Sequence, residues 1–259
     1  MKNIILLLLL FVSFVSCEKE NVTQQDDTTY NNLMMNLVSS IGDFDANINI
    51  IANDVGGGAN HPSQISIDGR FKDQNNKNKS VDLVKVEGFV LELQENQSYQ
   101  KYLYHGDSHY DNIKNKFGGQ VKLTVEDSSF PNLSVDVDLP ESIEIELNST
   151  NSTLSKDGFT INWTPYENDL QIGILVRYNS VLSDALEGMP RADISIMKYL
   201  DDITGTFTFP AADLAEFPTS GWISIYVGRA EQDVILKDGK KILFNSLYYQ
   251  LVSDYKLVD

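Results

Sequence analysis

Cys17 is the only cysteine in 259 residues, so no disulfide can form within the chain. Histidine is nearly as scarce. His61, His105 and His109 are the only three, which leaves few candidates for imidazole acid–base chemistry. There is no nucleophile elbow and no His-Glu-x-x-His zinc helix. Gly56-Gly57-Gly58 is not followed by Lys-Ser or Lys-Thr, so it is a loop and not a phosphate cradle. Basic residues number 20 against 37 acids, and nothing in the pattern singles out one carboxylate pair for glycoside hydrolysis. The excess of acid also excludes the phosphate backbone of nucleic acid as a natural partner. Beyond Val15 no apolar run approaches the ~20 residues that a membrane-spanning helix needs.

The one apolar run that exists is at the start. Met1-Lys2-Asn3 leads into Ile4–Val15, interrupted only by Ser13. A short basic start and about a dozen apolar residues make a secretory signal peptide, too short to span a bilayer. The run ends Phe14-Val15-Ser16-Cys17, which resembles the bacterial lipobox, with Phe14 where leucine is usual. The resemblance implies cleavage before Cys17, which then carries acyl chains such as diacylglycerol and palmitate. Acylation would also remove a free thiol from an oxidising compartment. Two or more acyl chains hold a protein firmly to a membrane, where one binds only marginally. The following Glu18-Lys19-Glu20-Asn21 lacks an Asp directly after the cysteine, as in lipoproteins sent to the outer membrane, and its acids resemble a surface-export signal.

Cleavage before Cys17 leaves 243 residues with 19 basic and 37 acidic side chains, a net charge of −18. The acids are spread along the chain, so they read as a solvated surface and not as one cation site. Residues 18–32 are polar and read as a tether. Leu33, Met34, Leu37, Val38 and Ile41 fall at helical spacing. From Phe44 onward the period is two. Ala46, Ile48 and Ile50 alternate with Asn47 and Asn49, and the same rhythm recurs at Ile65–Ile67, Val81–Glu87, Val121–Val125 and Leu133–Val137. Pro140 suggests a boundary. After it Ile143–Leu147, Phe159–Trp163, Ile172–Val176, Thr206–Phe209, Trp222–Val227 and Ile242–Leu251 read as further strands, with one helical turn in Ala211–Phe217. The expected class is all-β, with two tandem antiparallel β-sandwich domains, 43–140 and 141–259, after a leader (1–16) and a lipidated tether (17–42). Trp163 suits the centre of an immunoglobulin-like second sandwich.

Three stretches carry a wider resemblance: Phe117–Pro131, Trp163–Tyr178, and Phe209–Ala230 with its Phe209-Pro210, Phe217-Pro218 and Ile225-Tyr226-Val227-Gly228 pieces. They resemble a recurring class of uncharacterised bacterial surface lipoproteins. The resemblance spans roughly 45–250 and implies tandem β-sandwich domains, the second immunoglobulin-like. It implies no activity and no functional residues.

Two clusters remain as candidate sites. His105, Asp107, His109 and Asp111 fall at alternate positions, and if extended would offer imidazole and carboxylate to a metal from one face, unless Gly106 makes a turn. Tyr99, Tyr102, Tyr104 and Tyr110 lie close together and could stack on sugar rings or bind a protein segment. Asp43-Phe44-Asp45-Ala46-Asn47 has the alternating oxygens of a calcium loop, but Ile48 stands where glycine is needed and Asp54 where glutamate is. The expectation is a membrane-anchored, non-catalytic module that binds glycan or protein without a cofactor. A structural part of an envelope assembly would instead show a large apolar patch or an open sheet edge, and an enzyme would show a pocket of converging acids or histidines. Mass spectrometry of the native protein should find the chain beginning at an acylated Cys17; an unmodified thiol with the leader still attached would contradict the assignment.

Overall fold

A computed structural model describes residues 43–56, 64–149, 151–166, 171–183 and 194–259. The leader, Cys17, the tether, the Leu33–Ile41 segment, Gly57, Gly58 and His61 lie outside these residues.

The first half supplies β1 (Ala46–Gly56), β2 (Gln64–Lys72), β3 (Asn78–Lys79), β4 (Leu83–Val86), β5 (Phe89–Val90), β6 (Glu92–Leu93), β7 (Ser98–Tyr104), β8 (Gln120–Glu126) and β9 (Leu133–Asp138), with helix α1 (Tyr110–Lys114) between β7 and β8. The second supplies β10 (Ile145–Leu147), β11 (Thr153–Ser155), β12 (Gly158–Trp163), β13 (Gln171–Tyr178), β14 (Ser195–Asp201), β15 (Thr206–Pro210), β16 (Trp222–Lys237) and β17 (Lys240–Val258). Short helices α2 (Ser180–Ser183) and α3 (Ala211–Leu214) and a 3-10 turn at Asp202–Thr204 join them. The chain is all-β and sandwich-like, as expected.

The organising element is the hairpin β16–β17. Its turn is Asp238-Gly239, both at positive φ (47° and 77°), with Lys237 opposite Lys240. A two-residue turn of this kind matches strand twist, and Asp-Gly tolerates it. The hairpin runs through one ten-stranded sheet, ordered β14-β13-β16-β17-β1-β2-β7-β6, with β11 beside β17 and β3 beside β2. β17, with 19 residues, spans roughly 60 Å at the usual strand rise. Its first part pairs in parallel with β1, Ala46 opposite Ile242 through Gly56 opposite Val252. A register shift follows where Ile223 and Ile225 face Tyr255 and Val252, and Asp254 sits at φ 65°. Such a bulge bends a strand and interrupts its pairing. Beyond it β17 pairs with β11 instead, also in parallel, from Thr153 opposite Lys256.

Two small sheets pack against this large one. β5-β4-β8-β9 lies before Pro140 and β10-β12-β15 after it. Pro140 thus separates the small sheets, while the large sheet and the main apolar core run through both halves. The wholly antiparallel arrangement expected from alternation is modified at β17, because joining the first strand to the last makes those pairs parallel. The inward sets are those that alternation marks: Ala46, Ile48, Ile50; Ile65, Ile67; Val84, Val86; Val121, Leu123, Val125; Phe159, Ile161, Trp163; Ile172, Ile174, Val176. Each Val, Leu, Ile or Phe among them contributes about 1.5–3 kcal/mol when fully buried. On the opposite face of the large sheet Ile51, Leu175, Tyr226, Ala230, Leu247 and Tyr249 form a second buried cluster.

The inner face has one acidic strain. Half-buried Glu231 is held above the usual carboxylate range by burial and then by the charges of Asp138 and Asp233. Asp68 is raised likewise by burial, which outweighs the Asn49 amide bonded to it. Asp45 is lowered by the Lys240 ammonium and the Lys241 backbone N–H. A raised carboxyl contributes stability below its unfolded pKa and loses it as pH rises through the folded value. Glu231→Gln should therefore leave stability little changed near pH 4 and raise it relative to wild type near pH 7, in paired urea titrations. An equal difference at both pH values would contradict this.

Candidate functional site

The structure places the four histidine and aspartate residues of the candidate metal set apart. β7 ends at Tyr104, Gly106 turns at φ 98°, and α1 begins at Tyr110. Asp107 is occupied by the turn itself, its carboxylate accepting the Tyr104 N–H at 2.8 Å. His109 stacks on Phe89 with centroids 5.3 Å apart, and His105 packs edgewise to Tyr110 at 6.0 Å. The alternate spacing therefore never becomes one face. Among the described residues no group of three or more His, Cys, Asp or Glu comes together for a metal. The calcium-like stretch is spent too: Asp45 pairs with Lys240 at 2.6 Å, and Ala46 and Asn47 open β1.

The tyrosine cluster divides in two. Tyr102 and Tyr104 are 45% and 47% exposed on the outer face of β7, while Tyr99 and Tyr110 are 3% and 2% exposed. Strand alternation turns Tyr99 inward with Leu103. Its hydroxyl donates to the Val81 carbonyl and accepts the Val81 N–H at 2.8 Å, tying the β3–β4 connection to the core. Burial raises its pKa. Tyr110 points inward from α1 beside Ile113. Two of the four thus remain as a surface pair, with Gln64 and Gln100 donating to their hydroxyls.

A concavity lies elsewhere, at the waist where the two small sheets part. There the inner face of the large sheet turns polar. β1 reads Ala46, Ile48, Ile50, Ala52 and then Asp54; β17 reads Ile242, Phe244, Ser246, Tyr248 and then Gln250 on the same side. Asp54 and Gln250 are register partners, and Ala52 faces Tyr248. These residues form the floor of a cleft of about 870 Å³, whose walls include Lys114, Asn115 and Phe117 from the first half and Ser142–Glu146 and Asn162–Thr164 from the second. The volume is in the range of small-molecule sites, about 300–1,000 Å³.

The floor is fixed by its own bonds. The Tyr248 hydroxyl donates to Asp54 Oδ2 at 2.9 Å, and Phe117 meets the Tyr248 ring edge-on at 5.2 Å. Burial, then the negative charge of Asp54, pushes the Tyr248 phenol well above its ordinary range, so it stays a donor at any physiological pH. Gln250 Oε1 accepts the Ile145 N–H at 2.9 Å and so pins β10 to the large sheet. Glu144 and Glu146 lie exposed on the rim, two residues apart on one side of the chain.

Behind the second wall lies a buried ion pair. Arg229 on β16 and Asp202 in the 3-10 turn are each 0% exposed. The Arg229 Nε donates to Asp202 Oδ2 and its Nη2 to Oδ1 at 3.0 Å. Its Nη1 donates to the Ser142 carbonyl at 2.8 Å and its Nη2 to the Thr164 carbonyl. The Trp163 indole N–H donates to the Asp202 carboxylate and carbonyl, both at 3.0 Å. One guanidinium thus holds the segment after Pro140, the end of β12 and the loop after β14, which together form the cleft's second wall.

No protein-family model and no curated protein matches the chain. Among solved structures it is similar to the human OSCAR ligand-binding domain, at 9% identity and TM-score 0.26, covering 79% of this chain and 97% of that one. It is also similar to the yeast delta-COP-I mu-homology domain (11%, 0.25, 85% and 100%) and to the chicken CNTN1 FN1–FN3 domains (12%, 0.26, 77% and 67%). At such TM-scores the likeness fixes neither fold nor function.

Sequence reasoning missed the cleft. The signal was present as a polar residue at an inward position, Asp54 after Ala52 and Gln250 after Tyr248, but it acquires meaning only once the two strands are paired. Asp202→Asn should cost about 3–5 kcal/mol in urea unfolding, because it leaves a buried guanidinium uncompensated. Arg229→Met with Asp202→Leu should recover much of that loss. A single substitution costing under about 1 kcal/mol, the scale of a surface pair, would contradict the description.

Proposed function

We propose that the chain is a lipid-anchored, non-catalytic binding module on the outside of a bacterial cell, and that it holds a glycan or protein ligand in the waist cleft. The observation that carries this reading is the cleft itself: a concave, polar site built on the rigid inner face of the large sheet, with its second wall locked by Arg229. Sites on paired strands are held more firmly than sites on free loops.

Among the described residues the lining includes no histidine and no cysteine, so none of these offers an imidazole- or thiolate-based nucleophile pair. Asp54 is engaged with Tyr248. These features favour holding a ligand over transforming one. Among the described residues the exposed large apolar side chains sit on separate elements: Val90 and Leu93, Tyr102 and Tyr104, Leu182, Tyr199, Ile203, and Val234 with Leu236. A structural assembly partner would call for one continuous patch or an open sheet edge; the large sheet does end at β14 and β6, so assembly is the second reading, and the cleft favours binding. The leader pattern Ile4–Cys17 supports export and attachment to the outer membrane, and the net charge of the mature chain is unsuited to nucleic acid.

The mature chain with Cys17→Ser, immobilised and screened on a glycan array and against purified extracellular proteins, should show saturable binding to a member of one class. Asn115→Trp, an exposed rim substitution that fills the cleft, should abolish it. Binding that is absent in both screens, or indifferent to the block, would overturn the proposal.

A further inference from the structure

We infer that the ligand of the waist cleft is an oligosaccharide of neutral or amino sugars. The inference rests on the binding reading above and adds the chemical class.

Sugars are recognised by planar carboxylates and amides, which bond to pairs of hydroxyls, and by aromatic surfaces that face the ring C–H groups. The cleft supplies both kinds. Asp54 and Gln250 stand on neighbouring strands of the floor, Asn115, Glu144 and Asn162 stand on the walls, and half-buried Phe117, packed edge-on against the buried Tyr248 ring, supplies the aromatic carbon. The volume of about 870 Å³ accommodates several sugar rings in a row.

A protein ligand would use different chemistry. Interface energy concentrates in apolar and aromatic anchors buried at the centre of the contact. Among the described residues no exposed large apolar side chain lines the cleft. The apolar residues that do line it, such as Ile143 and Trp163, are themselves packed into the core.

Charge selects among sugars. Asp54, Glu144 and Glu146 line the site, and Lys114 is the only basic residue among its described lining residues. A uronic or sialic acid would bring its carboxylate against three others. Neutral rings pay no such cost, and an amino sugar gains from it.

Isothermal calorimetry on the mature Cys17→Ser chain with cellohexaose, maltohexaose, chitosan hexamer and hexagalacturonate tests this. At least one of the first three should bind saturably and hexagalacturonate should bind at least roughly tenfold more weakly. Glu144→Ala and Asn162→Ala, both at exposed positions and both checked for folding by urea titration, should each weaken binding several-fold, and Tyr102→Ala on the opposite face should not. Failure of all three oligosaccharides overturns the sugar assignment. If a protein ligand is then captured and lost with Asn115→Trp, the binding reading stands and only the class is wrong. Equal affinity for hexagalacturonate overturns the charge selection. Binding that survives both wall substitutions but falls with Tyr102→Ala overturns the cleft as the sugar site.

Discussion

The buried Arg229–Asp202 pair is the constraint on which the waist depends. A guanidinium with no solvent contact must have its donors met, since desolvating it costs several kcal/mol that only close partners repay. Here a carboxylate and two backbone carbonyls, those of Ser142 and Thr164, supply that satisfaction. The carbonyls belong to segments that would otherwise be loops at the edge of a sandwich. Because the charge must be satisfied, those segments have one position relative to β16, and with them β10 and the end of β12. The Trp163 indole closes the same network from the other side.

A stiff second wall matters because the first wall and floor come from a different part of the chain. Asp54 lies on the first strand, Phe117 after α1, and Tyr248 and Gln250 on the last strand. The parallel pairing of β1 with β17 brings the chain's two ends of sheet together and creates the floor. The Gln250–Ile145 bond then ties the floor to the second wall. Preorganised polar groups of this kind bind without the entropic loss of ordering themselves on contact.

Much of the strand content was legible from alternation alone, because burial on one face imposes period two on any strand. Ile48 and Ile50, Ile65 and Ile67, Val121 through Val125 and Phe159 through Trp163 all point inward as read. What stayed hidden were facts of pairing. A parallel contact between strands nearly 200 residues apart leaves no turn signal between them, so the continuous sheet could not be seen from Pro140 outward. The tyrosine cluster failed for a related reason: proximity in sequence put Tyr99 and Tyr110 near Tyr102, but alternation along β7 and the onset of α1 turned them to the core. Arg229 carried no signal of its own after Gly228, since nothing local marks an arginine as buried.

The Trp163 indole is a direct reporter of the waist, since the chain has only two tryptophans. Hydrogen exchange at the two indole N–H groups, followed by NMR on the mature Cys17→Ser chain, tests whether the Arg229–Asp202–Trp163 network closes the second wall. The account predicts that the Trp163 resonance is strongly protected and that Asp202→Asn makes it exchange at least tenfold faster. A Trp163 indole exchanging at the rate of a solvent-exposed one in the unaltered chain would contradict it.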